Sequence, residues 1–165
     1  MIAVIDEPTF DVFGFLGEPG HPASIATVTG RGRPALAMMW FLAEDDRLWF
    51  HTPEPNGVPS PFLRAAREQQ DVAVMVATFN PPADVRQVRM TGTAELGERD
   101  DERVRRIYRR YVDAWTPNWE QQATSATYHL WSMSPDRGMA VSYPGLTDGP
   151  TFRWSEPSGL FSLRT

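Results

Sequence analysis

Short segments of strand character, each ended by a turn signal, are the feature that most constrains how this chain can fold. Residues 23–29, 34–43 and 47–52 are rich in apolar residues, and the breakers "GRGRP" and "AEDD" separate them. Strands joined by such short turns pair in antiparallel fashion, and no strand–helix–strand crossover recurs along the chain. The pattern therefore predicts a mainly β protein whose antiparallel sheet closes into a barrel, which protects the sheet edges.

The second half of the chain continues this pattern. "VAVMVATF" predicts a buried strand, "VRQVRMTGTAEL" predicts a long strand, and "TSATYHLWSMSPDRGMAVSY" predicts one or two final strands. A chain of 165 residues is long enough to bury one core. We expect a single domain over residues 1–143, followed by an irregular C-terminal extension over residues 144–165.

Three helices are predicted between the strands. The first covers residues 8–17 and ends at the breaker cluster "GEPGHP". The second begins at Ser60, a capping residue followed by proline at the first helical position. The third is the arginine-rich segment "ERDDERVRRIYRRYVDAW". Its acids precede its arginines, as the helix dipole favours, and we interpret it as a solvated amphipathic helix rather than a phosphate-binding patch.

The segment "DVRQVRMTG" places polar side chains in the middle of a predicted strand. Because side chains alternate between the two faces of a strand, Gln87, Arg89 and Thr91 share one face, and Val88 and Met90 share the other. We expect the apolar pair to face the core and the polar face to contact another group. The alternative for Gln87 and Arg89 is an ordinary solvent-exposed face.

Composition excludes several classes of function. The net charge of −5 argues against nucleic-acid binding, and no apolar run is long enough to cross a membrane. All sixteen basic residues are arginine and there is no cysteine, which excludes lysine Schiff bases and thiol catalysis. The three histidines lie at no metal-ligand spacing, so no metal site is predicted. With no signal-peptide pattern at the N-terminus, we expect a cytoplasmic protein.

Taken together, "GRPALAMMWFLAEDDRLWFHT", "SPFLRAAREQQDVAVMV" and above all "RQVRMTG" resemble the split β-barrel flavoproteins of the pyridoxamine 5′-phosphate oxidase-like superfamily. The resemblance covers roughly residues 8–143. It implies a homodimer of antiparallel six-stranded barrels with FMN bound at the subunit interface. The flavin ring would lie against the second strand, its phosphate would lie near the third strand and the following helix, and the polar face of "RQVRMTG" would face the cofactor. The cofactor-binding residues that the resemblance implies are Met39, Trp40, Thr52, Ser60, Arg64, Gln87 and Arg89.

The chain departs from the oxidase itself at several of these positions. Leu36 and Phe41 stand where the oxidase has an arginine and a lysine, and Phe62 stands at or near its phosphate-binding lysine. The C-terminal substrate motif of the oxidase is absent. These differences identify a divergent member of the superfamily, whose relatives include FMN reductases, deazaflavin-dependent reductases and haem-binding proteins.

The leading hypothesis is an FMN-binding oxidoreductase that acts on a small organic substrate. Deazaflavin or haem in the same fold is one alternative, with His51 as a candidate contact to the cofactor or ligand to haem iron. A binding module without a cofactor is another. Each candidate residue also has a structural interpretation: Ser60 caps a helix, Arg64 is a solvated helix residue and Thr52 ends a strand. No side chain is assigned an acid, base or nucleophile role.

Overall fold

The computed structural model describes residues 4–58, 60–143 and 149–163, and these form a mainly β protein. The strands are β1 (Val4–Ile5), β2 (Ala23–Val28), β3 (Pro34–Met39), β4 (Leu42–Glu44), β5 (Arg47–Pro53), β6 (Asp71–Ala77), β7 (Arg86–Leu96), β8 (Tyr128–Met133), β9 (Arg137–Ser142) and β10 (Thr151–Trp154). The α-helices are α1 (Val12–Gly17), α2 (Pro61–Arg67), α3 (Asp101–Arg109), α4 (Pro117–Ala123) and α5 (Pro157–Phe161). A short 3-10 helix covers Pro55–Gly57.

The strands form one hydrogen-bonded network with two branches that meet at β7. One branch runs in the order β1-β10-β9-β7-β6-β2-β3, and the other runs from β7 through β8 and β5 to β4. All pairs are antiparallel except β1 with β10. The expected purely antiparallel sheet is therefore wrong at this one edge. Because β1 and β10 are far apart in sequence, no hairpin turn dictates their relative direction.

The centre of β7 is where the two branches separate. Its residues Arg86–Thr91 pair with β9, whereas Ala94–Leu96 pair with β8. Gly92 lies between these two ladders, under the turn that joins β8 to β9. A Cβ atom on Gly92 would lie 1.6 Å from the carbonyl oxygen of Ser134, so only glycine fits this position.

The sequence predicted one strand over residues 34–43, but the strand is interrupted between β3 and β4. Phe41 is fully buried at this break. The hydroxyl group of Tyr111 accepts its N–H, and the guanidinium group of Arg110 donates to its carbonyl oxygen. Side chains thus satisfy the backbone groups that a sheet neighbour would otherwise pair.

The sheet is open in its hydrogen bonding. Among the described strands, β3 pairs only with β2 and β4 pairs only with β5, although only Trp40 and Phe41 separate β3 from β4 along the chain. The fold thus has ten strands in a mixed, open sheet, in which a closed six-stranded barrel is not seen. The barrel and its dimer remain predictions.

Capping side chains mark the starts of α1, α2 and α3. Asp11 accepts a hydrogen bond from the Gly14 backbone N–H, so α1 begins later than the predicted residue 8. Ser60 caps α2 as predicted, and Asp100 caps α3. Helix α4 has no counterpart among the predicted helices, although "TPNWE" carries a proline at the first helical position and an acid in the first turn. None of the helices within the described ranges is long and apolar enough to cross a bilayer.

The C-terminal segment packs into the main core. β10 pairs with β9, and the core includes Phe152, Trp154, Leu160 and Phe161. The expectation of an irregular extension is wrong for these residues, because their large side chains bury apolar surface against the sheet. Residues 144–148 and 164–165 lie outside the described residues, and the domain boundary after residue 143 remains a prediction.

Candidate functional site

A cavity of about 410 Å³ opens where β3 and β5 end, below helices α3 and α4. We call it the aromatic cavity. No arginine, aspartate or glutamate lines it among the residues that the structure describes. Its wall consists of Met38, Met39, Trp40, His51, Thr52, Pro53, Ile107, Tyr108, Trp119, Gln122 and Tyr128. Three of the seven predicted cofactor residues, Met39, Trp40 and Thr52, therefore come together here.

Trp40 is held rigidly at the cavity wall by other rings. Its indole stacks on Tyr111, with ring centroids 5.1 Å apart and planes 4° apart. The ring of Tyr108 meets it edge to face at 5.4 Å, and Trp119 lies 5.6 Å away. Such geometry is favourable for aromatic pairs and leaves flat apolar surface for a planar ligand. Trp40 is one of the predicted cofactor residues, whereas Tyr108 and Trp119 are not. Trp119 lies on α4, which has no counterpart among the predicted helices, and Tyr108 lies on the predicted helix α3, whose packing over β3 and β5 the sequence did not indicate.

A chain of hydrogen bonds crosses the polar part of the wall. The Gln122 side-chain amide donates to the Tyr108 hydroxyl at 3.1 Å, and that hydroxyl lies 2.9 Å from Nδ1 of His51. Burial, followed by electrostatic repulsion between the His51 and His129 rings, lowers the pKa of His51 to about 4. Burial also raises the pKa of Tyr108 to about 12. Both side chains are consequently neutral around pH 7.

Thr52 is buried, and its hydroxyl group makes two hydrogen bonds inside the protein. It accepts a hydrogen bond from Nε1 of Trp131 at 2.8 Å and donates to Sδ of Met39 at 3.6 Å. Its first role is to fix Met39 in the cavity wall.

Ser60 and Arg64 do not line the aromatic cavity. The Ser60 hydroxyl caps α2 by accepting from the Leu63 backbone N–H at 3.4 Å. Arg64 pairs with Glu68 and lines a separate cavity of about 270 Å³ beside the end of β2. Among the described residues, its Nη1 is buried without a hydrogen-bond partner. The predicted phosphate ligand is thus separate from the predicted ring site.

Gln87 and Arg89 lie on the outer face of the sheet, as the alternation of β7 predicted. Val88 and Met90 are buried on the opposite face. The guanidinium group of Arg89 donates twice to Oε1 of Gln87, at 2.6 and 3.1 Å. Arg89 also lines a shallow cavity of about 650 Å³ on this outer face.

The outer face is unusually apolar for a sheet surface. Leu36 is 76% exposed, Met38 is 70% exposed and Met75 is 37% exposed. Patches of this kind mark interaction surfaces. Met38 belongs both to this face and to the wall of the aromatic cavity, so the two features adjoin each other along β3.

The low pKa of His51 predicts a pH dependence of stability. Between pH 6.5 and 4 the unfolded chain binds a proton at His51 that the folded protein excludes, so the free energy of unfolding falls as the pH falls through this range. Allowing for partial exposure, we expect a loss of about 1–2 kcal/mol. Urea unfolding at several pH values would show a smaller loss in His51→Asn than in the wild type. Equal losses of unfolding free energy in the two proteins would contradict the lowered pKa of His51.

Comparison with known proteins agrees with this architecture. The family model for pyridoxamine 5′-phosphate oxidase matches residues 18–142, about three quarters of the chain. The chain belongs to this family. The match covers both the aromatic cavity and the "RQVRMTG" strand, and the departures from the oxidase motifs identify a divergent member.

Solved structures support the same fold. The heme storage protein HutZ from Vibrio cholerae superposes with a TM-score of 0.58 at 14% identity, covering 76% of this chain and 87% of HutZ. Campylobacter jejuni ChuZ superposes with a TM-score of 0.69 at 13% identity, covering 91% of this chain and 62% of ChuZ. A heme binding protein from Mycobacterium smegmatis superposes with a TM-score of 0.63 at 13% identity, covering 90% of this chain and 57% of that protein. The chain thus spans less than two thirds of the last two proteins, and no curated protein sequence matches it.

Proposed function

We propose that this family member is a homodimeric FMN-binding oxidoreductase that acts on a small organic substrate. The observation that carries the proposal is the aromatic cavity: a flat, apolar wall with neutral hydrogen-bonding groups suits a planar heteroaromatic ring. A bound flavin would itself supply the hydride or electron transfer. The protein would orient the ring and keep water away from it.

The individual wall residues suit these tasks. Trp40 and Met39 present apolar surface to a ring, and the stack of Trp40 on Tyr111 fixes the indole before any ligand binds. Gln122 and Tyr108 offer hydrogen bonds from neutral groups, which can recognise the polar edge of a ring without a buried charge.

The flavin phosphate needs a cation, and none lines the aromatic cavity within the described residues. In the proposed dimer, the apolar outer faces of two subunits meet. Because Met38 borders both this face and the cavity, Gln87 and Arg89 of each subunit would lie near the cavity of the other. Arg64 remains a candidate ligand only if its ion pair with Glu68 opens.

Haem is the second candidate. HutZ and the M. smegmatis protein are named for haem, and His51 offers a neutral imidazole at the cavity wall, the form that binds a metal. Only Nδ1 of this ring has a hydrogen-bond partner among the described residues. Deazaflavin, which has the same ring shape as flavin, and an apolar ligand bound without a cofactor are the further alternatives.

An absorbance spectrum and an FMN titration test the proposal. We expect flavin absorbance at about 450 nm and saturable quenching of flavin fluorescence. Trp40→Leu keeps apolar volume but removes the stacking face, so we expect FMN affinity to fall about tenfold. Trp49→Leu is the matched control, because Trp49 lies against Arg103 outside the aromatic cavity.

The dimer and the alternatives are tested in the same preparation. Arg89→Ala should weaken FMN binding, and sedimentation should show that Met75→Arg separates the subunits. A Soret band and hemin binding that depends on His51 would favour haem instead. A colourless dimer that binds neither FMN nor hemin would contradict both and leave deazaflavin and the cofactor-free binding module as the alternatives.

A further inference from the structure

We propose that Tyr108 and His51 form a proton relay that connects the aromatic cavity with a second, polar cavity. The relay deepens the proposed function, because it would carry protons for the ligand of the same site. Its geometry is nevertheless present in the protein without any ligand.

The second cavity, which we call the polar cavity, has a volume of about 250 Å³ and lies on the other side of His51. Charged and titratable side chains, including Arg99, Asp101 and His129, contribute to its wall. His51 and Tyr128 line both cavities. His51 therefore lies between two cavities, one that no described acid or arginine lines and one that both kinds of residue line.

The hydrogen bonds determine where the protons lie. The Gln122 amide nitrogen can only donate, so the Tyr108 hydroxyl is the acceptor in that bond. Tyr108 is 2% exposed, and among the described residues Gln122 and His51 are the only hydrogen-bond partners of its hydroxyl group. Because a buried hydroxyl needs an acceptor, Tyr108 donates to Nδ1 of His51. The other ring nitrogen, Nε2, must then carry the imidazole proton.

This arrangement allows a balanced proton transfer. A ligand proton moves to the Tyr108 oxygen, the Tyr108 proton moves to Nδ1 of His51, and the Nε2 proton leaves to water in the polar cavity. The Tyr108 oxygen gains one proton and loses one, and His51 gains one at Nδ1 and loses one at Nε2. The reverse sequence returns a proton to the ligand. His51 begins and ends neutral, with its two nitrogens exchanging roles.

The charges around His51 are compatible with this role. Asp101 and Arg99 face it from the polar cavity, His129 faces it from β8, and Tyr108 and Tyr128 are its neighbouring rings. Burial keeps the ring neutral, so it has one acceptor nitrogen and one donor nitrogen at pH 7. Such a path would serve a hydride transfer in the aromatic cavity, because no carboxylate lines that cavity among the described residues.

Exchange of tyrosine hydroxyl protons with water, followed by NMR on the ligand-free protein, tests the relay. Tyr111 is the internal control: it follows the same helix and donates to the backbone carbonyl of His21 at 2.8 Å instead of to a histidine ring. Tyr108 is the more buried of the two, so burial alone predicts slower exchange at Tyr108. The relay predicts the opposite order, with Tyr108 faster by at least about tenfold.

Two variants locate the path. His51→Asn keeps an acceptor near the Nδ1 position but lacks the second ring nitrogen, so we expect Tyr108 exchange to slow at least about tenfold while Tyr111 is unchanged. His129→Asn alters the polar cavity without touching Tyr108 and should leave both rates unchanged. Slower exchange at Tyr108 than at Tyr111 in the wild type, or no effect of His51→Asn, would overturn the proposal.

Nitrogen-15 chemical shifts of the His51 ring provide a measurement that needs no variant. We expect a protonated Nε2 and an unprotonated, hydrogen-bonded Nδ1 in the wild-type protein. A protonated Nδ1 would overturn the relay even if a variant failed to fold. Because these measurements use no cofactor, their failure is distinguishable from a failure to bind FMN.

Discussion

Replacing Gly92 by alanine is expected to destabilise the protein by roughly 3 kcal/mol or more. The added Cβ would lie 1.6 Å from the carbonyl oxygen of Ser134 and 2.9 Å from the backbone nitrogen of Asp136. Both contacts are with backbone, which cannot move aside as a flexible side chain can. The turn between β8 and β9 would have to shift, and this turn determines how both strands join β7.

Gly17→Ala is the matched control for this prediction. A Cβ atom on Gly17 meets no heavy atom within 4 Å, and alanine is the better helix former in α1. Urea unfolding should show a large loss for Gly92→Ala and little change, or a small gain, for Gly17→Ala. Equal stabilities of the two variants would show that the backbone of the turn does not lie this close to Gly92 of β7.

Arg110→Ala is expected to destabilise the protein by about 3 kcal/mol. The Arg110 guanidinium group donates to the carbonyl oxygens of Leu16 at 2.6 Å and Glu18 at 3.2 Å, and also to that of Phe41. It thereby joins the end of α3 to the end of α1 and to the break between β3 and β4. Alanine would leave three part-buried carbonyl oxygens without this donor.

Arg109→Ala provides the comparison at the adjacent position. Arg109 is exposed. It makes a cation–π contact with Trp115, at 5.4 Å from its ring centroid, and an electrostatic attraction to Glu120, so we expect a loss below about 0.5 kcal/mol. Arg110→Lys should retain part of the stability, because an ammonium group cannot reach all three carbonyls at once. If thermal and urea unfolding gave similar losses for Arg109→Ala and Arg110→Ala, the bridging role of Arg110 would be wrong.

The Arg110 contacts also matter for the candidate site. Phe41 follows Trp40 directly, and Tyr111, which stacks on Trp40, follows Arg110. Loss of the Arg110 hydrogen bonds would therefore make Trp40, in the wall of the aromatic cavity, more mobile. We expect Arg110→Lys to weaken ligand binding through the position of Trp40 rather than through a lost contact.

Local sequence patterns predicted several features that the structure contains. The alternation in "RQVRMTG" correctly placed Arg89 outside and Val88 inside, and the Ser60–Pro61 pair correctly marked the start of α2. The resemblance to the family rested on the same segments, and the family model confirms it. These inferences depend on neighbours within a few residues, through the period of a strand or the hydrogen bond of a cap.

Other features depend on contacts between distant parts of the chain. The sequence grouped Thr52 and Arg64 in one cofactor site, whereas the structure places them at different cavities because α2 directs Arg64 towards the end of β2. It also gave no reason to combine His51 with Tyr108 and Gln122, which are separated from it by 57 and 71 positions in the numbering.

By itself, therefore, the sequence determined the mainly β class, the family and the inner and outer faces of β7. Only the tertiary structure decided which side chains share a cavity, where β3 breaks, and how the C-terminal segment completes the sheet. The physical reason is that capping and alternation act between near neighbours, whereas a cavity forms where elements far apart in the sequence pack together.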